Sequence, residues 1–149
     1  MSEINPPANN TPAEIRGSCL CGQVLVTVTG APVASAVCHC LHCQKTAGSA
    51  FSTVLLLPDE AVSVEGGVRS YHDVADSGAS VTRSFCGRCG SPVETSSAGT
   101  EAQKLRLIKA GLFAGVREFP PQLEIFCASR RSWVPAFTGT TAFVTMPPR

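Results

Sequence analysis

Seven of the eight cysteines lie in three knots: Cys19-Leu20-Cys21, Cys38-His39-Cys40-Leu41-His42-Cys43 and Cys86-Gly87-Arg88-Cys89. Zinc takes thiolates tetrahedrally at about 2.3 Å, and a C-x-x-C turn offers two sulfurs from one short loop. In the third knot Gly87 and Gly90 give the backbone the freedom to bring amide groups up to the sulfurs. One such pair cannot fill a tetrahedron, so a second pair must join it. Seven divides as four and three. Four thiolates close a site and make it structural, whereas three leave a position for water or substrate. The spacing suggests a structural zinc on Cys19, Cys21, Cys86 and Cys89, and an open zinc on Cys38, Cys40 and Cys43, which can wrap one ion from three directions. His39 and His42 stand inside the second knot and remain open as alternative ligands.

Short, turn-rich elements must carry these knots. Thirteen glycines and eleven prolines make turns frequent and disfavour long helices. Over residues 23–29, Val24, Val26 and Val28 alternate with Leu25, Thr27 and Thr29, the pattern of a strand with one wetter face. Further strand-like runs cover 51–57, 61–65, 68–73, 81–85, 105–110, 123–128 and 142–145. Only Leu41–Ala47 reads as helix. The fold class predicted is mainly β, with short antiparallel strands.

The 149 residues suit one domain, and 44% hydrophobic against 15% charged residues argues for a packed core. Twelve Lys and Arg against eleven Asp and Glu leave +1, without the basic excess of a non-specific nucleic-acid binder. No apolar run approaches the ~20 residues of a membrane helix. The partner expected is therefore a small molecule, not nucleic acid or membrane. The first sixteen residues lack periodicity and are expected to form a disordered arm, with the zinc-bearing domain over 17–149. They also lack the basic and apolar regions of a secretory leader, so the location expected is a reducing cytoplasm, where thiols persist or bind metal.

Three segments together resemble the glutathione-dependent formaldehyde-activating enzyme/centromere protein V family: GSCLCGQV at 17–24, CHCLHCQKTAGSAF at 38–51 and FCGRCGSP at 85–92. The resemblance implies a β-tent, an antiparallel architecture organised around structural zinc. It also implies the same four-and-three division of cysteines, with the three-cysteine zinc catalytic. The implied activity is that of a carbon–sulfur lyase joining formaldehyde to glutathione. An ordinary thiol is only a few per cent ionised at pH 7, and coordination to zinc would deprotonate it. The alternative is a non-catalytic, zinc-stabilised interaction module, as the centromere-protein relatives suggest.

Gln44, Lys45, Ser49 and Phe51 follow the open-site cysteines directly and are expected, with Thr46, to line the substrate pocket. Lys45, Arg83, Arg88, Arg130 and Arg131 are candidates for anchoring carboxylates. Cys127 reads as a small buried hydrophobe in a strand, His39 and His42 as solvent-facing or supporting groups, His72 as a surface histidine and Trp133 as core. The chain departs from the family pattern at Gly111-Leu112-Phe113, where Gly-x-Leu-Asp-Asp is frequent, and at Glu124, where a Pro-x-x-His-Ile pattern sets histidine. An ionised carboxylate only accepts hydrogen bonds, so it does not simply replace an imidazole.

Overall fold

In the computed structural model, which describes residues 13–148, alternation governs the first strands. Val24, Val26 and Val28 are fully buried, while Leu25 between them is about half exposed at 48%. In chain order the strands are β1 (Glu14–Ser18), β2 (Leu25–Thr29), β3 (Ala34–Cys38), β4 (Ser52–Pro58), β5 (Val62–Glu65), β6 (Val68–Val74), β7 (Ser80–Cys86), β8 (Pro92–Ser97), β9 (Leu105–Lys109), β10 (Leu123–Ile125) and β11 (Thr141–Ala142). Two short helices accompany them, α1 (Leu41–Ala47) and α2 (Ala98–Ala102).

The strands form a small sheet, β1-β2-β5, and a large one in the order β11-β10-β3-β4-β9-β8-β7-β6. The expectation of antiparallel strands meets a correction at one edge, because β10 pairs in parallel with both β3 and β11. After β9 a 3-10 turn (Ala110–Phe113) and a long connection carry the chain back across the sheet, so β10 enters alongside β3 in the same direction. Ile125 then opposes Cys38, and the first cysteine of the central knot is fixed against the chain's late residues.

The core lies where Val24, Val26 and Val28 of the small sheet meet Leu55, Leu57, Val93 and Ile108 of the large one, with Leu112 and Phe113. Each such side chain contributes about 1.5–3 kcal/mol on burial. Cys19 and Cys86 belong to the same cluster. Phe113 packs onto Gly17 so closely that a Cβ there would stand 2.7 Å from its ring and 2.6 Å from the Leu112 carbonyl.

The arm expected over 1–16 lies outside the described residues up to 12, but Glu14–Arg16 belong to β1. The strand expected over 123–128 stops at Ile125, because Phe126 adopts a left-handed backbone (φ 54°) and Cys127–Ser129 turn as a 3-10 helix. Among the described residues no helix is long and apolar enough to cross a membrane.

Candidate metal centres and the cleft between them

Two hairpin turns build the quartet. Cys19 and Cys21 sit in the β1–β2 turn, tightened by the Gly22 N–H donating to the Cys19 carbonyl at 3.1 Å. Cys86 and Cys89 sit in the β7–β8 turn, where the Gly90 N–H donates to the Cys86 carbonyl at 2.9 Å and Gly90 takes a positive φ of 78°. The four sulfurs all lie within 4.8 Å of one another. The Cys19–Cys21 and Cys21–Cys86 separations are 3.6 and 3.8 Å. A tetrahedron with Zn–S bonds of about 2.3 Å has edges of about 3.8 Å, so the donor set fits zinc in chemistry and in size. Backbone N–H groups of Val24 and Arg88 point at Cys19 Sγ and Cys86 Sγ, at 3.2 and 3.4 Å. Hydrogen bonds from the Ser91 hydroxyl and backbone hold the Cys89 thiol down to about 5.

The trio comes from the end of β3 and the first turn of α1. Cys40 caps the helix, its Sγ accepting from the Cys43 N–H at 3.2 Å, and Gly48 closes it in the left-handed region. The three sulfurs converge within 4.8 Å and all three residues are buried. Hydrogen bonds from Cys38 and Cys40 hold Cys43 far below the usual thiol range against the desolvation of burial, and the charges of Lys109 and Arg83 add to this. The Cys38 thiol moves the other way, pushed up by its hydrogen bonds with Cys40 and Cys43 and by burial. Lys109 and Arg83 thus place positive charge beside the trio. Arg83 is buried and donates to Asp73 at 2.9 Å; Asp73 also binds His42 Nδ1 at 2.6 Å, and His42 Nε2 meets Asp76 at 3.2 Å.

Of the two roles expected for His39, solvent-facing or supporting, the structure shows the second: it is fully buried beside the trio, and its Nε2 donates to Glu124 Oε1 at 3.0 Å. Glu124 is fully buried as well and accepts from Arg130 at 3.1 Å, from the Phe137 N–H at 3.2 Å and from the Thr140 hydroxyl at 2.6 Å. Although burial opposes ionisation, the bonds from Thr140, His39 and Phe137, with the Arg130 charge, hold its carboxyl below the usual carboxylate range. Arg130 also reaches Cys127 Sγ at 3.4 Å, so a guanidinium occupies the cation's part among His39, Glu124 and Cys127. The β3–β10 register sets Glu124 opposite Val37, two positions from His39, but the parallel pairing that creates this register has no local mark.

The larger cleft, about 820 Å³, runs from the quartet's turns to the trio's helix. Cys19, Leu20 and Ser91 line one side, Thr46, Ser49 and Phe51 the other, and Ser52 and Lys109 lie between. Ser49 also borders a smaller cleft, about 670 Å³, with Gln44, Lys45, Arg131 and Trp133. Of the four residues expected to line a substrate pocket, Ser49 and Phe51 therefore face the larger cleft, while Gln44 and Lys45 face the smaller. The Gln44 amide donates to the His39 and Ser129 carbonyls at 2.8 and 3.1 Å, tying α1 to the trio's strand. Trp133, expected in the core, is 74% exposed. His72 lies at the surface as expected.

Fold and site define a mainly β protein with two cysteine clusters that could hold metal ions, and a cleft that reaches from Cys19 of the quartet to Thr46 and Ala47 of the trio's helix. The family model described as glutathione-dependent formaldehyde-activating enzyme matches residues 14–129, and the chain belongs to that family. A Fusarium vanettenii protein named "Putative glutathione-dependent formaldehyde-activating enzyme" is 31% identical over 83 residues, 56% of this chain and 44% of that protein. Proteins of the same name from Aspergillus flavus and Aspergillus oryzae are each 35% identical over 74 residues, 48% of this chain and 38% of theirs. The chain spans less than half the length of these curated relatives.

Proposed function

We propose that the protein is a zinc-dependent enzyme of the carbon–sulfur lyase type. It joins a small thiol, glutathione in the first instance, to formaldehyde or a related electrophile. In this reading Cys19, Cys21, Cys86 and Cys89 hold a structural zinc around which a β-tent is organised, and Cys38, Cys40 and Cys43 hold a catalytic one. A reducing cytoplasm suits both sets of free thiols. The observation that carries the reading is the convergence of three buried sulfurs, one short of a closed tetrahedron, at a helix whose Thr46 and Ala47 border a cleft large enough for a tripeptide. Zinc at the trio would make an incoming thiol ionise near neutral pH.

The chain's own residues supply the rest. Arg83 sets positive charge beside the trio, easing the approach of a further anionic sulfur. Gln44 and the His39–Glu124 bond fix the loop that presents the three cysteines. Phe51 walls the cleft, and its ring packs edge-on against Phe137 at 5.3 Å, which limits water near the reacting atoms.

The test is adduct formation. Zinc-loaded protein incubated with glutathione and ¹³C-formaldehyde should speed the appearance of the S-hydroxymethyl carbon resonance, and Cys40→Ser should remove that acceleration. Two bound zinc ions with no acceleration for any small thiol would instead favour the zinc-stabilised interaction module.

A further inference from the structure

We propose that Lys109 and Ser52 form a two-donor oxyanion subsite on the floor of the larger cleft, receiving the electrophile's carbonyl oxygen as sulfur adds to carbon; this rests on the thiol–aldehyde reading above. Lys109 ends β9 and Ser52 begins β4, and the pairing of these central strands brings them together. Both side chains line the cleft, yet the residues are only 9% and 3% exposed. Lys109 Nζ donates to Ser52 Oγ at 2.9 Å. An ammonium has three hydrogens, and a hydroxyl that accepts one bond keeps its own hydrogen to give. Donors therefore remain on both groups, at a water-poor floor where hydrogen bonds to developing charge are strongest.

A buried ammonium is strongly unfavourable unless anions face it. Among the described residues none of the ion pairs includes Lys109. Desolvation by burial pushes its pKa down, and the charge of the trio's cysteines, Cys43 first, acts against this. Arg83 also balances the trio, but it is tied to Asp73 and does not line the cleft. Lys109 differs in touching both the trio's field and the cleft.

The step balances without any further reagent. The thiol proton leaves to water, the sulfur pair forms the C–S bond, and the C=O π pair moves onto oxygen. There the Lys109 and Ser52 hydrogens meet it, and the oxygen regains a proton from water. Lys109 stays an ammonium throughout.

The test uses the zinc-loaded full chain and two glutathione thioethers, S-carboxymethylglutathione, with anionic oxygens near the sulfur, and S-ethylglutathione, without them. Calorimetric titration should give the first a roughly tenfold advantage, typical of charge-assisted donors in a buried site. Lys109→Met should erase the advantage and leave S-ethyl binding unchanged, and Ser52→Ala should reduce it. With formaldehyde, Lys109→Met should lower kcat roughly 10²–10³-fold with little change in the thiol's KM. Zinc content and melting temperature are read for every variant, with Lys109→Arg as the cation-preserving control. Equal binding of the two thioethers by wild type, or binding of neither, overturns the subsite. So does zinc loss in Lys109→Met that Lys109→Arg prevents, because the lysine would then be only a counter-charge. A wild type that shows the oxyanion preference but forms no adduct leaves the subsite standing and sinks the thiol–aldehyde reading.

Discussion

Glu124 shows how one buried carboxylate organises its surroundings. A carboxylate accepts where an imidazole would donate or bind metal, and here four donors from three stretches of chain meet it: His39, Arg130, and Phe137 with Thr140. Glu124→Gln removes the charge that Arg130 faces in a buried setting. It should lower unfolding stability by about 3 kcal/mol, read by chemical denaturation. The pH dependence has a definite sign. Because the folded carboxyl titrates below the ordinary glutamate value of 4.5, its contribution is complete above that value and is lost as pH falls through the folded pKa. Wild type should therefore lose stability more steeply than Glu124→Gln below about pH 4.5, and parallel acid limbs would contradict this. From sequence, Glu124 registered only as a missing histidine and His39 only as a residue between cysteines. The two meet through a pairing of strands 85 residues apart, which no local pattern records.

At the scale of elements, the helix at Leu41–Ala47 and the strand centred on Val26 were legible because both are marked by their own local run of residues, the strand by alternation. β1, β3 and β8 were not. β1 (EIRGS) follows residues without periodicity, and β3 (ASAVC) and β8 (PVETSS) are made of small and polar residues whose strand state comes from neighbours on both sides. Only Val93 of β8 reaches the core fully buried. β1 is held by its pairing with β2 and by the close fit of Gly17 on Phe113, and the fit yields a direct test. Gly17→Ala must displace the ring or the strand and should cost about 1–3 kcal/mol, seen as a lower denaturation midpoint with an unchanged slope. A neutral effect would mean that the Phe113 packing is loose.

Across the whole molecule, the quartet joins the turn of the small sheet to a turn of the large one, while the trio and its helix hang from the large sheet alone. That asymmetry separates the two clusters. A metal that bridges Cys21 and Cys86 closes a loop of 65 residues, and in the chain-entropy account such a closure stabilises by about 4 kcal/mol. The trio spans six residues and closes almost nothing. Loss of the quartet should therefore lower the melting temperature by about 10 °C or more, and loss of the trio should leave it nearly unchanged while ending adduct formation. The counting of cysteines into four and three was legible in the sequence. The cleft between them was not, because its floor of Ser52 and Lys109 belongs to strands joined only by the fold. The most direct measurement is zinc per chain, taken with melting temperature, for wild type, Cys86→Ser and Cys40→Ser. The account predicts two ions in wild type and one in each variant, with only Cys86→Ser melting markedly lower. One ion in wild type, or equal destabilisation of the two variants, would contradict it.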